Sequence, residues 1–252
     1  MAQDIPAIMV GGPPHSGKSV LTYALTRLLR AQRVDHYVLR ACPDGEGDWS
    51  QEADQSLVRL VRLKGAFTPD YVASVSQAIA DRHIPLIVDV GGKPLPWQAA
   101  IPASCTHAIL LAQNDDQLQA WRSLSQQHGL AILAEFISSL AEPEELWSET
   151  PILRGRVAGL ERGATIASPL CSLLANRIAQ LFVQFGPLLR RRHLATAPAA
   201  AVIAVDAALL DLGLATDARN WLPGDLPHFL ALLPRAQSLA LYGRGPNWLY
   251  AA

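Results

Sequence analysis

The sequence predicts an α/β protein in which a mostly parallel sheet is flanked by helices, with a smaller α+β segment after it. Three observations carry that prediction. Residues 5–10, 83–90, 107–112 and 130–137 are short runs apolar enough to be buried on both faces, as strands between two helical layers are. Helical patterns separate these runs, which calls for parallel crossovers rather than hairpins. The first run leads through a glycine-rich loop straight into a helix.

That junction, residues 7–22, reads AIMVGGPPHSGKSVLT. Gly12, Gly17, Lys18 and Ser19 satisfy G-x-x-x-x-G-K-[ST], the phosphate-binding P-loop, in its required strand–loop–helix setting. A polyphosphate is crowded with negative charge. Loop N–H groups and the positive end of a helix cradle it only where bulky side chains stay out of the way. The loop residues Gly12, Pro13, Pro14, His15, Ser16, Gly17, Lys18 and Ser19 are therefore the candidate nucleotide contacts. Gly17 allows close approach, Lys18 is expected to reach the β- and γ-phosphates, and the Ser19 hydroxyl to ligate Mg2+. His15 is read as loop filler, since its backbone N–H suffices.

A helix follows over residues 18–32, with Val20, Leu21, Ala24, Leu25 and Leu28 on one stripe and Arg27, Arg30 and Arg33 toward its C-terminal end. Residues 36–40, HYVLR, read as a second strand, expected beside the P-loop strand. It runs into the acidic, glycine-rich CPDGEGDWSQE. Carboxylates at strand ends in such sheets face the ligand. Asp44 and Glu46, nearest the strand end, are candidates to hold Mg2+ through water or to act as base toward an acceptor hydroxyl; Asp48 and Glu52 lie in the same stretch. A solvated turn uses the same residue types.

Residues 56–64 fit a helix or a short strand equally. Thr68-Pro69-Asp70 is a helix start, with Thr68 as cap and a helix to about residue 82. The run HIPLIVDV, followed by Gly91-Gly92, has the shape of a Walker B segment, in which Asp89 holds the magnesium shell directly or through water. Gly91 and Gly92 would let the backbone pass close to the γ-phosphate. After the strand at residues 107–112, Asn114, Asp115 and Asp116 are read as helix caps, the guanine-reading N-K-x-D being absent. That absence favours ATP over GTP. Residues 142–149 are acidic and expected at the surface. Arg154, Arg156 and Arg162 are candidates for a lid or finger on the transferring phosphoryl group, or else surface charges. Residues 168–184 form an amphipathic helix, broken near Gly186-Pro187. Arg190, Arg191, Arg192 and His193 make a short basic run, read as a solvated helix end or linker, or as a phosphate patch.

The boundary is expected near residue 194, giving a P-loop domain over 1–193 and a second segment over 194–252. In that segment residues 202–210 and 238–242 read as strands and 222–233 as a helix.

Composition narrows the function classes. Of 252 residues, 50% are hydrophobic and 17% charged, which is globular rather than disordered. A net charge of −1 gives no global case for binding duplex DNA or an anionic membrane. Cys42, Cys105 and Cys171 are far apart, with no C-x-x-C, and read as free thiols of a reducing compartment. The longest apolar zone, 195–215, is interrupted by Pro198, Asp206 and Asp211, a poor membrane span. A cytoplasmic protein is expected.

The tail adds a resemblance. LALYGRGPNWLYAA resembles the strand–GRGP–W-L segment of the small CRISPR-associated ring nucleases of the Csx-three type, in Gly243, Arg244, Gly245, Pro246, Trp248 and Leu249. The resemblance covers roughly the last fifty residues, of which about fifteen are specific. It implies a partial ferredoxin-like module, homo-oligomerisation, and binding of cyclic tetraadenylate, the messenger of type III CRISPR defence, at residues 243–248. That family is also known fused to a P-loop, AAA-type or kinase-like domain, which residues 1–190 resemble. The chain lacks the longer helix and further strands of the family's module, so ring-nuclease activity is not expected of it alone. The reading is thus a Mg2+-dependent ATP-binding P-loop protein, ATPase or kinase-like, tied to cyclic oligoadenylate signalling. A stand-alone small-molecule kinase and an ATP-gated assembly protein with little turnover are the alternatives.

Overall fold

The computed structural model describes residues 5–43, 49–61, 65–92, 95–164, 168–205, 207–208, 212, 221–243 and 245–251. The chain divides into two compact units, Met1–Gly186 and Pro187–Ala252.

The first unit is built on a seven-stranded sheet: β1 (Ala7–Gly11), β2 (Tyr37–Arg40), β3 (Leu86–Asp89), β4 (His107–Ala112), β5 (Ala131–Ser139), β6 (Glu145–Ser148) and β7 (Leu153–Ala158). Their order is β2-β3-β1-β4-β5-β7-β6, parallel throughout except for the β6 edge, which runs antiparallel to β7. The predicted α/β class with a mostly parallel sheet therefore holds. One neighbour differs: β3, not β2, lies beside the P-loop strand on that side, and β2 is the edge. The strand that precedes the acidic stretch is thus one strand further from the P-loop strand than its sequence order suggests.

The period-2 alternation of buried strands feeds two cores. Ile8 and Val10 of β1, with Ile109 and Leu111 of β4, face α1 (Lys18–Ala31) and α7 (Pro169–Gln184) through Leu21, Leu25, Leu174 and Ile178. Ala7 and Met9, with Val88 and Leu110, face the other way, onto α4 (Pro69–Ala80) and α6 (Asp115–Gln127) through Val72, Ile79, Leu118 and Trp121. Helix starts follow their capping residues. Thr68 Oγ1 accepts from the Tyr71 N–H, Asn114 Oδ1 from Gln117 and Ser168 Oγ from Cys171, at 3.2, 3.0 and 3.0 Å. The short helices α2 (Trp49–Glu52), α3 (Gln55–Val61) and α5 (Ala100–Ala103) complete this unit.

The second unit holds α8 (Gly186–Thr196), a two-stranded parallel pair, β8 (Ala201–Ala204) and β9 (Leu239–Tyr242), and helices Leu226–Leu232 and Asn247–Tyr250. Its core is small: Val205, Ala208, Trp221, Phe229 and Leu249, with Trp221 and Phe229 edge-to-face at 5.2 Å. Among the described residues no helix is long and apolar enough to cross a membrane.

Candidate functional site

The P-loop turns from β1, an interior strand of the sheet, into α1. Its two motif glycines are there for space. A Cβ on Gly12 would lie 1.9 Å from the Leu111 carbonyl oxygen, a backbone atom that cannot yield. Gly17 caps α1 with φ +92°, a left-handed conformation, and a Cβ there would meet the Leu160 side chain at 2.9 Å. No side chain caps the first turn of α1, so its backbone N–H groups face the loop, as an anion site requires. Pro13 and Pro14 bring no N–H to the cradle, and the Ser16 N–H is taken by the Pro13 carbonyl at 3.4 Å. His15, Gly17, Lys18 and Ser19 carry the remaining backbone donors of the loop. His15 is the one non-glycine residue of the loop at positive φ, +63°.

Lys18 is buried, and its ammonium donates to the carbonyls of Gly12 and Pro13 at 2.8 and 2.7 Å. The lysine is thereby folded over the mouth of its own loop. Ser16 Oγ is buried in the loop without a hydrogen-bond partner among the described residues.

A cavity of about 350 Å³ opens from the loop. It is lined by Pro14, His15, Lys18 and Ser19 of the loop, by Asp89, Val90, Gly91 and Gly92 at and after the end of β3, and by Cys42, Pro43, Gly65 and Phe67. A second hollow of about 240 Å³ lies against Gly17, Val20 and Leu160 and shares His15, Lys18, Ser19 and Arg162 with the first. Lys18, Ser19 and Asp89, distant in sequence, meet on one surface because β1 and β3 are parallel neighbours whose C-terminal ends coincide, Val10 opposite Asp89.

Asp89 is 1% exposed. Arg40, its register partner on β2, donates from Nη1 to Asp89 Oδ2, while Arg40 Nη2 is buried with no hydrogen-bond partner among the described residues. Arg40 carried no signal in the sequence beyond ending a strand.

The three candidate arginines separate. Arg162 lines both hollows, carried on the turn after β7 between Gly159 and Gly163, each at positive φ. Arg154 and Arg156 do not line them and match the other reading, surface charges, here held in ion pairs along the sheet. Arg154 Nε pairs with Glu135 at 2.9 Å, and Arg156 pairs with Glu142 and Glu145, each at 2.6 Å. Their guanidiniums neutralise the acids of β5 and of the acidic stretch at 142–149, which turns out to hold the edge strand β6.

Asp44 and Glu46 lie outside the described residues; Pro43, just before them, lines the cavity. In the second unit Gly243 has φ +117°, and its carbonyl accepts from Tyr250 Oη at 2.7 Å. Gly245 is packed where a Cβ would meet Val205 Cγ1 at 3.0 Å, Pro246 precedes the short helix, and Trp248 packs against the small core. Arg244 lies outside the described residues. Arg190, Arg191 and Arg192 are exposed on α8.

No protein-family model and no curated protein matches the chain. Among solved structures, it is similar to the septum site-determining protein MinD complexed with Mg-ADP from Pyrococcus horikoshii OT3, with TM-score 0.38 and 15% identity over 54% of this chain and 70% of that one. It is similar also to the kinase domain of the Escherichia coli tyrosine kinase ETK, with TM-score 0.35 and 16% identity over 52% of this chain and 66% of that one.

Proposed function

We propose that the first unit binds Mg2+·ATP at the P-loop and catalyses cleavage of its γ-phosphoryl group. The observation that carries this reading is the convergence of Lys18, Ser19 and Asp89 on one cavity at the mouth of a loop whose glycines leave room for phosphate. A hydroxyl and a carboxylate are the hard oxygen donors Mg2+ takes, with phosphate and water completing its shell. Ser19 and Asp89 would hold the ion, which neutralises the phosphate oxygens when bound. Lys18 now donates to two neutral carbonyls. An anionic phosphate oxygen is the stronger acceptor, so the ammonium passes to it on binding. Arg162 would supply a second cation at the same mouth. In hydrolysis the water oxygen bonds to the γ-phosphorus as the bond to the β,γ-bridging oxygen breaks. ADP leaves, and the proton of the water passes to the released phosphate. On sequence grounds Asp44 or Glu46 would orient that water.

A second reading, transfer to an acceptor other than water, is favoured by one feature. The cavity is lined also by Cys42, Pro43 and Phe67, which suit the apolar part of an acceptor. The tie to cyclic tetraadenylate rests on the resemblance of Gly243–Leu249 alone and adds nothing to the catalytic site. The experiment is titration of ADP and ATP, with Mg2+, into the protein and into Lys18→Ala. Loss of one charge-assisted phosphate contact should weaken binding by about 10- to 100-fold. Unchanged binding in the variant would sink the assignment.

A further inference from the structure

Two buried carboxylates of the first unit are paired with arginine, and the pairs are built differently. Glu135 receives the full fork of Arg122, Nε at 2.8 Å and Nη2 at 3.0 Å, with Arg154 added at 2.9 Å. Bidentate contact is what an arginine–carboxylate pair adopts when it is built to stay. Asp89 receives one nitrogen of Arg40, and the other terminal nitrogen is buried with no partner among the described residues. An unmet buried donor on a charged group is costly, so this contact is not optimised as a fixed strut.

The two members also differ in freedom. The Asp89 side chain is 2% exposed and lines the cavity, whereas that of Arg40, on an edge strand, is 15% exposed. The cation is the more exposed partner and so the one that can swing away, while the acid stays at the cavity. A divalent ion held by Asp89 would share that carboxylate with a full positive charge in contact with it, and the two cations repel.

We propose that Arg40 is a counter-ion latch: it neutralises Asp89 while no metal is present, competes with Mg2+ for the carboxylate, and so sets how strongly the ion binds. The latch rests on the reading of Asp89 as the residue that serves Mg2+. Arg40 is a positioning residue here; it does not line the cavity.

The test is the Mg2+ enhancement of ADP affinity, the ratio of Kd in EDTA to Kd in excess Mg2+, measured with a fluorescent ADP analogue. Four proteins are compared: the parent, Arg40→Met, Asp89→Asn and the double variant. Arg40→Met should raise the ratio at least about fivefold, a typical coupling between two sites. Its Kd in EDTA should rise, because Asp89 is then left without a counter-ion beside the phosphates, and return to near the parent value in the double variant. In the double variant the gain should vanish. Arg40→Gln keeps a donor for Asp89 and removes only the charge, so it should raise the ratio too and carries the test if Arg40→Met does not fold. A ratio unchanged or lowered in both Arg40 variants overturns the latch. So does ADP binding in EDTA that stays weak in the double variant, where residue 89 carries no charge, which would mean that Arg40 contacts the nucleotide itself. An Asp89→Asn ratio equal to the parent's overturns the metal role of Asp89, and the latch with it. No ADP binding by the parent overturns the P-loop reading itself.

Discussion

Glu135 and Asp89 stand two strands and one strand from β1, on β5 and β3 on its opposite sides, and both side chains are buried. Glu135 is committed to structure: two arginines from two elements close on it, and it lines neither hollow at the P-loop. Asp89 sits at a strand end with one oxygen on Arg40 and a cavity against it. The difference teaches what a satisfied acid and a poised acid look like in one sheet. Position decides it: carboxyl ends of parallel strands face the crevice, while Glu135, mid-strand, faces neighbours on α6 and β7.

The comparison breaks most visibly at Glu135. Glu135→Ala strands two guanidiniums, but the side chains of Arg122 and Arg154 are 21% and 48% exposed and can recover some hydration. The expected loss is about 3 kcal/mol, the low end for breaking a buried pair. It is read from urea unfolding, with ADP affinity unaltered. Asp89→Asn should do the reverse. The amide is isosteric and still accepts from Arg40, which offsets part of the lost counter-charge, so stability should fall by less than in Glu135→Ala while the Mg2+ enhancement of ADP binding is lost. If Asp89→Asn unfolds the protein as readily as Glu135→Ala, the two acids are the same kind of structural pair.

The sequence made half of this contrast legible. The loop could be read because phosphate chemistry dictates glycine, lysine and hydroxyl at fixed spacing, and Asp89 because it ends a short apolar run before two glycines. Capping residues Thr68, Asn114 and Ser168 showed themselves by local rules. What was not legible is set by pairing between distant segments. Arg40 meets Asp89 across 49 residues, and only the insertion of β3 between β1 and β2 brings them together. β7, LRGRVA, does not read as a strand because its arginines interrupt the apolar pattern. They are tolerated because Glu135, Glu142 and Glu145 meet them. Gly155 sits among them because a Cβ would strike the Glu145 carbonyl at 2.4 Å, a demand made by β6 and invisible in β7 itself.

Acid sharpens the contrast with the smallest effect. Burial pushes the Glu135 carboxyl up, but hydrogen bonds and charge from Arg122, with Arg154, outweigh it and hold the group below its usual 4.5. A depressed folded value means that the unfolded chain binds the proton more readily. The stabilisation is therefore full above about 4.5 and is lost as pH falls through the folded value. His107, at the start of β4, is lowered from 6.5 by burial, so the same sign applies at higher pH. Its contribution is full above 6.5 and fades as pH drops below. Unfolding free energy should thus decline in two steps on acidification. His107→Gln should remove the upper step alone, and Glu135→Gln the lower. A lower step that survives Glu135→Gln would mean that other carboxylates, not this doubly paired one, govern the acid limb, and the closed acid would lose its claim to be the structural member of the two.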